Sequence, residues 1–113
     1  MPVPVKSKAE ITAQLNDKAR QDLRNYNLTN GVRSLDGQSL EKLIKLVKEF
    51  NQFDPENDPY GEHDFGSVEF EGVKYFFKID YYAKGSNFQR GSEDPSDEAI
   101  TTRILTLMRA DEY

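Results

Sequence analysis

The sequence predicts an α+β domain, and three observations carry that prediction. Two alternating apolar runs flank Glu71-Gly72, the signature of a β-hairpin over about residues 65–82. Three other stretches, about 8–25, 39–51 and 95–110, repeat apolar residues at three- and four-residue spacing, as amphipathic helices do. The chain has 113 residues, 36% apolar and 31% charged, which suits one core and a well-solvated surface. The expected organisation is a flexible lead-in over residues 1–6 and a single domain over 7–113. In that domain a small antiparallel sheet packs with three helices.

Ser7-Lys-Ala-Glu10 reads as a capping box that starts the first helix, with Ile11, Leu15, Ala19 and Leu23 as its apolar stripe. Asn25–Gly31 has turn composition, Val32–Leu35 reads as a short strand, and Asp36-Gly37 as another turn. The second helix carries Leu40, Leu43, Ile44, Val47 and Phe50 on one side and Lys42, Lys45 and Lys48 on the other. Pro55 and Pro59 place its end before them. With Glu71-Gly72 as the loop, residues i and 143−i face each other. Val68, Phe70, Val73, Tyr75, Phe77, Ile79 and Tyr81 then share the core face, and Glu69 lies opposite Lys74. The second face carries Phe65, Ser67, Phe76, Lys78, Asp80 and Tyr82, mixed enough to require partial cover. Asp94-Pro95 offers an N-cap and a first-turn proline, and Ile100, Ile104, Leu107 and Met108 a helical stripe.

Charge is unevenly distributed. The net charge is −5, made of +4 over residues 1–48 and −9 over residues 49–113. The acidic part disfavours nucleic acid and suits a basic protein partner. Lys18, Arg20, Arg24, Lys42, Lys45 and Lys48 have the pattern of solvated helix faces. Cysteine is absent, which excludes a disulfide framework, thiolate nucleophiles and zinc–cysteine sites. No apolar run approaches the roughly 18 residues of a membrane span, and the first residues lack a signal-peptide core, so a cytoplasmic protein is expected.

The densest polar segment is Asn57–Gly66, which holds the only histidine, His63. Extending the hairpin register puts His63 opposite Asp80, with Lys78 on the same face. A histidine–aspartate pair fixes a tautomer and raises imidazole basicity, as a general base requires. The same pair equally makes a structural clasp, and no nucleophile or second base accompanies it. Glu62 is the nearby carboxylate for the catalytic alternative. Asp58, Glu62, His63 and Asp64 supply ligands for a hard cation, but their order does not match a calcium loop. For a protein interface the candidates are Asp58, Tyr60, Glu62, Asp64, Lys78 and Tyr82.

Several blocks together resemble one known group. Leu15-Asn-Asp17 with Arg20, Asn57-Asp-Pro-Tyr-Gly-Glu-His-Asp-Phe-Gly66, Lys78-Ile-Asp-Tyr-Tyr82, Asp94-Pro95, and Thr102-Arg-Ile-Leu-Thr106 through Glu112-Tyr113 resemble a bacterial domain-of-unknown-function family common on proteobacterial plasmids and other mobile elements. The chain departs from it around Tyr26–Leu35, where the family carries a glycine-arginine entry to a valine-rich strand. The resemblance implies a bacterial or phage setting and supplies no catalytic assignment.

The resulting expectation is a small acidic non-catalytic binding protein of a mobile element or phage. It would inhibit a host defence system, of the anti-CRISPR or anti-restriction type, by contact with a basic protein surface. The alternative is a small hydrolase-like enzyme using His63 and Asp80. A homodimer is a further possibility, and no cofactor is expected.

Overall fold

The computed structural model describes residues 6–23 and 26–113, so the lead-in expected over 1–6 falls outside it except for Lys6. Ser7 caps α1 (Lys8–Asp22), its hydroxyl accepting from the Glu10 N–H at 3.1 Å. Leu23 ends the helix in the left-handed region, φ 48°, donating its N–H to the Ala19 carbonyl. The buried face of α1 is Thr12, Ala13, Asn16 and Arg20. The apolar residues Ile11, Leu15, Ala19 and Leu23 are only half-buried. The helix thus turns a largely polar stripe inward, and the candidate site depends on this.

Next come β1 (Tyr26–Leu28), a single-turn helix α2 (Asn30–Arg33) and α3 (Gly37–Glu49). The turn expected at Asn25–Gly31 therefore contains a strand, and the strand expected at Val32–Leu35 is a helical turn that seals Val32 in the core. Asp36 caps α3 by accepting from the Ser39 N–H at 2.8 Å, so the helix begins at Gly37, two residues before the expected start.

The hairpin of β2 (Phe65–Phe70) and β3 (Val73–Ala83) has the expected register, Glu69 opposite Lys74 and Phe65 opposite Lys78. Glu71 and Gly72 both have positive φ, 52° and 78°, as the tight two-residue turn demands.

The helix expected over 95–110 is not formed. Residues 94–100 make turns, and Thr101–Arg109 is strand β4, followed by a 3-10 turn at Ala110–Glu112. Asp94 does cap, but it caps a turn, accepting from the Ser96 N–H at 3.1 Å. Thr101, Thr102, Ile104 and Thr106 are β-branched and favour the strand. β4 also fills the edge that β3 would otherwise leave open, pairing with it from Tyr75–Arg109 to Ala83–Thr101. The sheet order is β1-β4-β3-β2, with only β1 and β4 parallel.

The architecture is α+β, a four-stranded, mostly antiparallel sheet packed on one face by three helices. The core joins Val32, Leu43 and Val47 from the helices to Tyr75, Phe77, Ile79, Leu105 and Leu107 from the sheet. On the other face, two rings contribute cover among the described residues. Tyr113 packs edge-on against Phe65 and Phe76, with centroids 6.0 and 5.7 Å away, and Phe88 against Tyr82 at 5.5 Å. Among the described residues, no helix is long and apolar enough to cross a membrane.

Candidate functional site

Residues between α3 and β2 form a tightly bonded loop. Asp54 accepts from the N–H groups of Glu56 and Asn57 at 2.8 and 3.0 Å, and Asn57 accepts in return from the Asp54 N–H at 3.1 Å. Asp58 is the pin. Its carboxylate is buried and one oxygen accepts from both the Glu62 and His63 N–H groups, at 2.9 and 3.1 Å. The Gly61 N–H closes the turn onto the Asp58 carbonyl at 3.1 Å. Tyr60 therefore projects from a fixed base and is 78% exposed.

His63 departs from the extrapolated register. Its φ is 58°, which ends the extended path and swings the ring towards the helices. The imidazole stacks on Phe53, with centroids 4.0 Å apart and planes at 3°. Nδ1 lies 2.9 Å from an Asp17 oxygen on α1, and Nε2 lies 3.8 Å from Asp58. The expected partner, Asp80, sits on the far face of the sheet and pairs with Lys78 at 3.3 Å. Both ring nitrogens thus face carboxylates, which makes His63 a clasp between loop and α1. Replacing it with alanine removes the stack and the Asp17 bond. His63→Ala is expected to cost about 1–2 kcal/mol of stability. Urea unfolding monitored by circular dichroism measures this, with an unchanged midpoint as the contrary result.

Behind the clasp lies a buried polar network. Asn16, fully buried, donates to the Glu62 carbonyl at 3.0 Å and the Tyr81 hydroxyl at 2.8 Å, and accepts from Arg103 Nε at 2.8 Å. The Tyr81 hydroxyl in turn donates a hydrogen bond to the Glu62 carboxylate at 2.9 Å. Burial raises the Tyr81 hydroxyl well above the ordinary phenol range, so it acts as a neutral donor. Arg103 also donates to the Pro95 carbonyl and lies over the Tyr81 ring at 5.3 Å. Arg20 is buried beside Asp17 at 3.3 Å, its guanidinium over the rings of Phe53 and Phe77 at 5.2 and 5.4 Å. Burial lowers both arginines, but from a value so high that they stay charged at neutral pH.

Asp64 is raised, first by burial and then by the Glu62 charge. For an acid raised in the folded state, the destabilisation is fully present above the folded pKa. It fades as the pH falls through that value into the ordinary carboxylate range. Asp64→Asn should therefore stabilise the protein near neutral pH, by about 0.5–1 kcal/mol, and the gain should vanish at about pH 3. Thermal unfolding at both pH values checks this; an equal gain at both would refute the electrostatic cause.

The interface candidates separate. Tyr60 is free; Asp58 and Glu62 are engaged inside the loop and its network, and Asp64 is half-buried. Lys78 and Tyr82 lie on the opposite sheet face. Among the described residues, no group of three or more histidine, aspartate or glutamate side chains is arranged to hold a metal, Asp58, Glu62, His63 and Asp64 included. Sequence reasoning missed Asn16, Asp17, Arg20, Phe53 and Arg103 as partners of this segment. One signal was available: Thr12, Asn16 and Arg20 repeat at four-residue spacing, a polar stripe as regular as the apolar one.

No curated protein and no solved structure matches the chain. A family match covers residues 28–112, which include Asp58, Tyr60, Glu62, His63, Tyr81 and Arg103, while Asn16, Asp17 and Arg20 on α1 lie outside it. The chain belongs to the family described as "Protein of unknown function (DUF3768)".

Proposed function

We propose that this protein is a non-catalytic binding module whose contact surface is the acidic, tyrosine-tipped rim of the loop between α3 and β2. The observation that carries this reading is an exposed Tyr60 on a turn pinned by the buried Asp58 carboxylate. An aromatic side chain held on a rigid base loses little conformational freedom on binding. Asp54, Glu56, Pro59 and Gly61 are exposed around it, so the rim is negatively charged and suits a basic protein surface. The clasp geometry weighs against the hydrolase alternative, because both His63 ring nitrogens face carboxylates and Asp80, the expected orienting partner, lies on the other face of the sheet.

The resemblance to a family frequent on plasmids supports a finer proposal. The partner would be a host defence protein, such as a restriction nuclease or a CRISPR effector, and binding would inhibit it. Parallel affinity capture with the wild-type chain and Tyr60→Ala tests the surface. A basic partner is expected to be retained by the first and reduced at least tenfold with the second, the scale of a central interface residue. Equal recovery with both baits would remove Tyr60 from the interface. Unchanged phage and plasmid survival in cells making the wild-type protein would remove the anti-defence role.

A further inference from the structure

A second site is built on the other side of α1, away from the Tyr60 rim. Here α1 and the start of β4 enclose a cleft of about 350 Å³ lined by Lys18, Ala19, Asp22, Lys84, Glu98 and Arg103. Arg103 is held rigidly at its wall. Nε is bonded to Asn16 and Nη2 to the Pro95 carbonyl, and the guanidinium rests on the Tyr81 ring. The remaining amino group, Nη1, makes no hydrogen bond among the described residues and is not sealed from solvent. Lys18 and Lys84, both exposed, add two cations, and neither forms an ion pair among the described residues.

We propose that this cleft binds a small organic anion headed by a carboxylate or a phosphate, with Arg103 as the anchoring residue and Lys18 and Lys84 closing on the charge. A guanidinium fixed by its other nitrogens gives a directional, charge-assisted bond at little entropic cost. Two carboxylates, Asp22 and Glu98, line the same cleft. They oppose a polyanion such as nucleic acid and accept an amino group, so amino acids and their phosphorylated forms fit better than polyphosphates. The site is independent of the Tyr60 surface.

The test is an amide NMR titration of the full chain with acetate, inorganic phosphate and glutamate in turn. Saturable shifts confined to residues 18–22, 84 and 98–103 are expected for at least one probe, with a dissociation constant of about 1–10 mM. The probe that shifts them identifies the head group. The Lys18→Gln/Lys84→Gln double variant should weaken that binding at least about fivefold. Both lysines are exposed, so its spectrum should show the native fold. Absence of saturable shifts with all three probes would overturn the proposal. So would shifts spread over the whole surface, or equal binding by the double variant.

Discussion

Asn16→Ala is expected to destabilise the protein by about 3 kcal/mol, a large share of the roughly 5–15 kcal/mol that holds a domain folded. Asn16 is fully buried and bonds three groups from three different segments: the Glu62 carbonyl, the Tyr81 hydroxyl and Arg103 Nε. Alanine leaves all three without that partner, and one of them belongs to a charged guanidinium. An unpaired buried polar group costs more than the bond it once made contributed. Denaturant unfolding measures the loss, and a change below 0.5 kcal/mol, within the range of ordinary surface substitutions, would show that the network carries no stability. Asn16→Asp is an informative companion. It retains an acceptor for Arg103 but abolishes both donations and places a second charge beside Glu62, so it too should be destabilised at neutral pH.

Gly66→Ala is the second large effect, expected at about 2–3 kcal/mol. A Cβ at Gly66 would collide with the Phe77 ring and lie 2.9 Å from Phe50 Cε1. Phe77 is fully buried, and Phe50, Phe53 and the Arg20 guanidinium surround it, so its ring has nowhere to go. The same substitution should disturb the clasp, because Phe53 also stacks on His63. Unfolding midpoints report the first effect and the His63 ring proton shifts the second. A variant with wild-type stability would mean that the Phe77 pocket relaxes freely.

Local signals in the sequence were reliable where structure is locally determined. Glu71-Gly72 set the hairpin and its register, and the hydrophobic stripe of Leu43 and Val47 set α3. The C-terminal segment shows the limit. Ile100, Ile104, Leu107 and Met108 fit a helical period, while Leu105 and Leu107 equally fit an alternating one. The choice was made by the unpaired edge of β3, a long-range partner that no window of sequence contains. Strand β1 is three residues long and exists through its pairing with β4, so it shares that cause.

The candidate site was legible in position but not in wiring. Asn57–Gly66 does form a distinct, heavily bonded loop carrying His63. Its partner was misread because one backbone angle, the positive φ at His63, ended the strand two residues before Phe65. Hydropathy left the polar Asn16 and Arg20 outside the apolar stripe. The bonds of Asn16 to the loop and the sheet, and the seat of the Arg20 guanidinium over Phe53 and Phe77, make that face of α1 the inner one. Polar residues whose partners lie elsewhere in the fold leave no trace in a hydrophobic pattern.

In the proposed reading this loop is a clamped platform for Tyr60. Amide hydrogen exchange at Glu62 and His63 tests it most directly, because both N–H groups are bonded to the buried Asp58 carboxylate. Both amides are predicted to exchange at least about a hundredfold more slowly than in an unfolded chain, and to lose that protection in Asp58→Ala. Exchange of both at the unfolded-chain rate in the wild-type protein would mean that the loop is not clamped.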